Sequence, residues 1–374
     1  MRLNLLELLM RGTLRSIKRF DRRDNALGTL DPDAIRSVLL ITSTALGDAV
    51  LSSAAFAPVR QRFPQAHIAA LIHPSYVALF RHSRELDDIV PYWNGTSGFL
   101  RTLLALRRLR PELVLILHGN EPQATPLAYL AGARWIVKLP NARNPFRYLL
   151  SNAEPAVSWA DLGHGLNQRL QVAAAVGAEV AGARMQLSDV PEHQVAVDAF
   201  LAAAGLAGRP LIGFQCGASA QSRMWPEEKF VALGRRLLQM HPGAGIVLTG
   251  SPDEGDYLGK VADGIGGSVA VAAGRTPLEQ LPTLVRRLQV LVTGDTGTMH
   301  IAFAVSTPTV CLFAVSYPAT SGPAYDQHLH TVIYRPCPHT GITPKSQDRS
   351  WIARIEVDEV LAAVDQQLLR NPGQ

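Results

Sequence analysis

Short apolar runs that alternate with longer stretches of helical periodicity limit this chain to parallel sheets wrapped by helices. In the first half the runs are Val38–Thr42, His67–Ile72, Asp88–Val90, Leu113–Leu117 and Trp135–Lys138; in the second they are Leu211–Phe214, Gly245–Thr249, Val269–Ala272, Val290–Val292 and Thr309–Phe313. Parallel neighbours need a crossover segment rather than a hairpin, and helices on both faces leave the strands apolar throughout instead of alternating. The pattern predicts βαβ units in two series that meet near "LSDVPEHQ", Leu187 to Gln194. Length agrees, because 374 residues with 47% hydrophobic content exceed what one core usually organises. The expected divisions are an arm over 1–34, doubly wound domains over 35–190 and 191–350, and a helical segment over 351–374 that packs back on the body.

Open α/β sheets bind ligands beyond the carboxyl ends of their strands, so the loops after the strands are where function is sought. The loop after Val38–Thr42 reads "TSTALGDAVLSS". Its Asp48 falls at the start of a helix, where the dipole favours the carboxylate; this suits an ordinary helix-start acid and a general base alike. The loop after Leu211–Phe214 reads "QCGASAQSRMWPEEKF". Ser219 and Ser222 supply hydroxyls, Arg223 supplies a cation that can grip two oxygens, and Pro226 opens a helix. A phosphate fits such a loop, as does a capped turn with a solvated arginine. The third loop, "VTGDTGTMHIAFAVSTPTVCLF" from Val292, bares backbone amides at Gly294 and Gly297 and adds the Thr296 hydroxyl ahead of a helix start. That suits a diphosphate. Asp295, being anionic, is better matched to sugar hydroxyls, and His300 taken alone reads as a packing or capping histidine.

Charge is concentrated. Residues 1–30 hold seven Lys/Arg against three acids, which is +4 of the chain's formal +5. Within "MRLNLLELLMRGTLRSIKRFDRR", Leu3, Leu6, Met10, Leu14, Ile17 and Phe20 recur every three or four residues with basic side chains between them. This predicts a basic amphipathic helix, either packed on the body or lying on an anionic lipid surface. The segment lacks the apolar core of a signal peptide, and no run of about 18 uncharged apolar residues occurs, so a cytoplasmic chain is expected. Cys216, Cys311 and Cys337 are too far apart for a CxxC pair and read as thiols of a reducing compartment. No GxxxxGK[ST] is present, and the one "GAG" precedes its strand, which argues against a P-loop enzyme or a dinucleotide-binding oxidoreductase. The basic arm has few aromatics to interleave with bases, so no nucleic-acid partner is expected.

Taken together, "STALGDAVLSSAAFAPVRQRFPQAHIAAL", "GASAQSRMWPEEKF", "LTGSPDEGDY" and "DTGTMHIAFAVSTPTVCLF" resemble glycosyltransferase family 9, the ADP-heptose:lipopolysaccharide heptosyltransferases, from about Val38 to Val360. The resemblance implies a GT-B fold, with two Rossmann-like domains facing a central cleft. It implies an inverting, metal-independent enzyme that needs no cofactor and moves a sugar, heptose foremost, from an ADP-linked donor to a bacterial cell-surface glycan such as lipopolysaccharide core. By the same carry-over Asp48 matches the general base. Ser219, Arg223, Thr296 and Gly297 match the diphosphate site, Asp295 lies near the donor sugar, and His300 is the motif histidine. Glu254, or its neighbour Asp253, matches the ribose-binding acid, and Thr276 lies in a segment near the base. Arg223 stands where relatives commonly carry lysine, and Ile116 stands where they carry an acid, with Glu121 following. The implied partners are a nucleotide-sugar and a glycan or lipid-linked acceptor, with peripheral contact to the anionic inner membrane face. A different nucleotide-sugar, another acceptor, or a catalytically silent sugar-nucleotide binder stays open at this point.

Overall fold

The computed structural model describes residues 5–93, 95–141, 144–154, 161, 163–338, 343 and 345–370. The arm's first four residues, Leu3 of its apolar repeat among them, and the last four of the carboxyl-terminal segment lie outside the described residues. The chain divides into two compact units, Met1–Met185 and Gln186–Gln374.

The first unit is built on β1 (Ser37–Thr42), β2 (His67–Ile72), β3 (Asp88–Pro91), β4 (Leu113–His118) and β5 (Trp135–Lys138), in the order β3-β2-β1-β4-β5. Every pairing is parallel. Val38, Leu39, Leu40 and Ile41 are all essentially inaccessible, as a strand sandwiched between two helical layers must be. The chain builds outward from β1 through β2 to β3, then returns to β1's other side with β4. The β1/β4 boundary is therefore the point where strand order reverses and a crevice opens between diverging connections.

The second unit repeats the plan with β6 (Leu211–Gln215), β7 (Gly245–Thr249), β8 (Val269–Val271), β9 (Leu288–Gly294), β10 (Thr309–Phe313) and β11 (His330–Tyr334), ordered β11-β10-β9-β6-β7-β8. Its reversal lies between β6 and β9, which pair in parallel. Strand β11 has no counterpart among the expected runs. It is an edge strand whose centre, Val332, is 36% exposed, so "HTVIY" never acquired the continuous apolar character that marks the inner strands. The last helix, Val357–Arg370, packs Val360, Leu361 and Val364 into this unit's own core.

The amino-terminal helix, Leu5–Phe20, docks on the first unit through Leu14, which is 2% exposed and part of the core, with Met10 beside it. Tyr148 donates its hydroxyl to the Arg11 carbonyl at 3.1 Å. Asp21 closes the segment by accepting from Arg23 Nη2 at 2.8 Å and from the Tyr129 hydroxyl at 2.9 Å, contacts that hold its carboxyl far below the usual carboxylate range.

Candidate active site

Each unit carries its polar chemistry at its own reversal point. In the first, the chain leaves β1 through Ser43, Thr44 and Ala45 and enters the helix Leu46–Ser52, which puts Asp48 in the first turn. Strand β4 ends alongside, with Thr42 in register with His118. Asp48 is held from two sides. Arg169 donates Nη2 to Oδ1 at 2.6 Å, and the Thr44 hydroxyl lies 3.0 Å from Oδ2. Arg169 is 4% exposed at its side chain and Asp48 27%, so a buried cation anchors a carboxylate that still reaches solvent. Burial lowers the Arg169 pKa while Asp48 opposes the shift, and a guanidinium stays charged regardless.

His118 extends this cluster, its Nδ1 2.6 Å from Thr44 Oγ1 and 3.6 Å from Asp48 Oδ2. Lost solvation, with the Arg169 guanidinium next, lowers its pKa to about 4 against the pull of Asp48; Lys138 adds to the lowering. The ring is therefore neutral near pH 7. One tautomer satisfies all three groups: His118 Nδ1–H donates to Thr44 Oγ1, whose own proton goes to Asp48. Because the folded pKa lies below the unfolded value, the unfolded chain takes up the proton first as pH falls. His118 thus costs no stability above about pH 6.5 and progressively more from there down to about 4. In a His118→Gln protein, the stability lost between about pH 6.5 and 4 in urea titrations should be smaller by about 1–2 kcal/mol, a figure discounted for the solvent that still reaches the ring.

Nearby, Glu121 is engaged rather than open: Lys138 Nζ donates to it at 2.7 Å and to the Gly119 carbonyl at 3.0 Å, and the Thr125 hydroxyl also binds it.

In the second unit, the loops after β6 and β9 meet because those strands are neighbours. Arg223 joins them, donating Nη1 to the Asp295 carbonyl at 2.9 Å and Nη2 to the Ser219 hydroxyl. The Asp295 carboxylate lies 3.4 Å from the same Nη1. A Cβ on Gly294 would sit 2.5 Å from the Arg223 carbonyl oxygen, so glycine is what lets the two loops touch. Thr296 caps the helix Gly297–Ala304, its Oγ1 accepting from Met299 N at 3.4 Å and lying 3.1 Å from Thr293 Oγ1. Ser219, Arg223, Asp295, Thr296 and Gly297 are thus assembled into one patch with a cation and a positive helix end.

Glu254 lies against the other side of this loop. Its Oε2 accepts from Ser251 N at 2.7 Å in a capping box, and a Cβ on Gly217 would fall 1.7 Å from Oε1. Thr276 follows β8, its hydroxyl donating to the Ala272 carbonyl at 3.1 Å. Asp253 is exposed in the same turn as Glu254. His300 is 5% exposed and packs edge to face on Phe303 at 5.9 Å.

Sequence reasoning missed three residues that hold these patches in shape. Arg169 and His118 are remote from Asp48 in the chain and carry no local motif, although an arginine inside an otherwise amphipathic helix and a histidine ending a buried strand were both visible. Gln215 is the third. Buried at the end of β6, it donates to the Gly217 carbonyl at 3.0 Å and accepts from Thr249 at 2.8 Å and Thr298 at 2.9 Å, tying the loop after β6, the end of β7 and the helix Gly297–Ala304 to one amide. Gln215→Leu should lower unfolding free energy by about 2–4 kcal/mol in urea titrations, since two hydroxyls and a carbonyl lose a buried partner at once.

Among the described residues, no group of three or more His, Cys, Asp or Glu side chains is arranged to hold a metal ion, and no helix is long and apolar enough to cross a membrane. The family model of glycosyltransferase family 9 (heptosyltransferase) matches residues 143–346. Lipopolysaccharide heptosyltransferase 2 of Salmonella typhimurium is 24% identical over 302 residues, covering 76% of this chain and 85% of that protein. Its namesake in Escherichia coli K12 is 30% identical over 120 residues, 31% of this chain and 34% of that protein. Among solved structures, a family 9 glycosyl transferase from Veillonella parvula superposes with a TM-score of 0.76 at 20% identity, covering 91% of this chain and 99% of that one. E. coli ADP-heptose heptosyltransferase II gives 0.72 at 22%, covering 89% and 99%.

Proposed function

The chain belongs to glycosyltransferase family 9 and takes the GT-B fold, and from that premise we propose that it transfers heptose from ADP-heptose to a hydroxyl of lipopolysaccharide core, with inversion and without a metal ion. The observation that carries this reading is the Arg223 clamp, which binds Ser219 and Asp295 together beside the start of the helix Gly297–Ala304. A diphosphate laid there meets a guanidinium, two hydroxyls and the free amides of a helix start, charges sufficient to hold a leaving group. Asp295 borders the sugar, Glu254 and Thr276 border the nucleoside, and His300 packs behind the cradle and shapes its helix.

Asp48 is the base in this reading. It takes the proton of the acceptor hydroxyl while that oxygen attacks the anomeric carbon from the face opposite the diphosphate. The bond from that carbon to the diphosphate oxygen breaks, and ADP leaves with the electron pair. The enzyme works in the cytoplasm against the inner membrane face, where a lipid-linked acceptor is found. Calorimetry of ADP, UDP and GDP with metal-free protein tests the donor. Preference for ADP is expected, followed by heptose transfer to core oligosaccharide; preference for UDP or GDP would overturn the donor assignment.

A further inference from the structure

Seven of the twelve large hydrophobic side chains exposed among the described residues lie in two short segments of the first unit. Leu8, Leu9, Ile17 and Phe20 belong to the amino-terminal helix, and Phe20 is 82% exposed. Trp93 precedes the helix Thr96–Leu109, which holds Leu100 and Leu104 at 56% and 59% exposure. Single exposed leucines are ordinary, but a cluster marks an interaction surface.

Both helices lie on one face of the sheet. Leu14 of the first and Leu103 and Leu106 of the second share a core cluster with Leu39, Ile41, Val114 and Ile116, alternate residues that point to the same side of β1 and β4. On Thr96–Leu109 the outward stripe consists of leucines interleaved with Arg101, Arg107 and Arg108, and that helix contains no acid. The amino-terminal helix carries Arg11, Arg15, Lys18 and Arg19 against Glu7 alone. Its apolar stripe is also wider than its dock: Leu14 and Met10 fill the core edge, while Leu9, Ile17 and Phe20 remain outside.

We propose that this helical face is a docking surface for an anionic phospholipid bilayer. Leucines and a tryptophan flanked by arginines suit the boundary between headgroups and acyl chains, where the apolar side chains insert and the cations meet phosphate. A second copy of the chain fits poorly, because a twofold contact would set two cationic, acid-poor faces against each other. The geometry also gives the surface a use. Helix Thr96–Leu109 starts beyond the carboxyl end of β3, the sheet edge at which Asp48 follows β1, so a bilayer at Trp93 and Leu100 would present a lipid-linked glycan at the base's own edge. The inference rests on the acceptor being lipid-linked.

The test is co-sedimentation of the full chain with phosphatidylcholine vesicles, with and without phosphatidylglycerol. Binding to the anionic vesicles alone is expected, weakening as salt rises. Leu100→Ser with Leu104→Ser, and separately Leu9→Ser with Phe20→Ser, should each cut partitioning about tenfold or more. Arg101→Gln with Arg108→Gln should cut it about fivefold per charge. All these side chains lie outside the core, so ADP affinity and transfer to water-soluble core oligosaccharide should be unchanged, which separates failure of the surface from failure of the enzymatic reading. Equal binding to neutral vesicles or undiminished binding by the leucine variants would overturn the proposal. So would a lipid-free dimer that the Leu100/Leu104 pair dissolves, since the face would then join subunits.

Discussion

Asp48→Asn should reduce turnover about 10²- to 10⁴-fold, the usual worth of a positioned general base, with ADP affinity unchanged. The geometry explains why the side chain suits the task. Arg169 holds Oδ1 and Thr44 holds Oδ2, so the group is kept from rotating while its side chain stays 27% exposed to solvent. Asparagine preserves the shape and can still accept from one neighbour, but it cannot take the proton. It also leaves the buried Arg169 without a counter-charge, a loss of stability that removal of one ion-pair partner commonly brings. Turnover is therefore to be measured well below the variant's melting temperature, alongside calorimetric ADP binding. A variant that folds, binds ADP and transfers sugar at the parent rate would remove Asp48 from the mechanism.

The frame and the clustering of Ser219, Arg223, Asp295, Thr296 and Gly297 were legible because each is written locally. All ten expected strands are present, since an inner strand of a wrapped parallel sheet must be apolar along its whole length, and the glycines at 294 and 297 announce a backbone that has to come close to something. What was illegible is long-range. Nothing around Arg169 says that it reaches back to Asp48, because the pairing exists only once the helix Gly165–Ala174 packs beside β4. His118 ends a strand in the manner of many loop histidines, and only the folded chain shows it sharing Thr44 with Asp48. Gln215 was hidden for a different reason: a buried amide at a strand end looks like any polar boundary residue until its three partners are assembled around it. The edge strand β11 escaped because only His330 of its five residues is buried, so "HTVIY" lacks the continuous apolar run that marks the inner strands.

Arg223→Ala should weaken ADP binding about 10- to 100-fold, the range for losing a charged hydrogen-bond donor, and lower kcat/KM further because charge grows on the diphosphate as the sugar departs. Arg223 is held by Ser219 and Asp295, which fixes the guanidinium in place and offsets the charge of the adjacent carboxylate. Its buried Nε has no hydrogen-bond partner among the described residues. Arg223→Lys is the informative control. Lysine retains the charge as a point source but cannot span a hydroxyl and a carbonyl with one planar fork, so ADP affinity should fall between those of the parent and the alanine variant, with Ser219 and Asp295 no longer bridged. The backbone has little freedom to compensate, because Gly294 packs directly against the Arg223 carbonyl. Calorimetry on the three proteins orders them by how much of the affinity is charge and how much is geometry. If alanine binds ADP as tightly as arginine, the diphosphate does not lie at this cradle, and the helix start at Gly297 loses its assigned ligand as well.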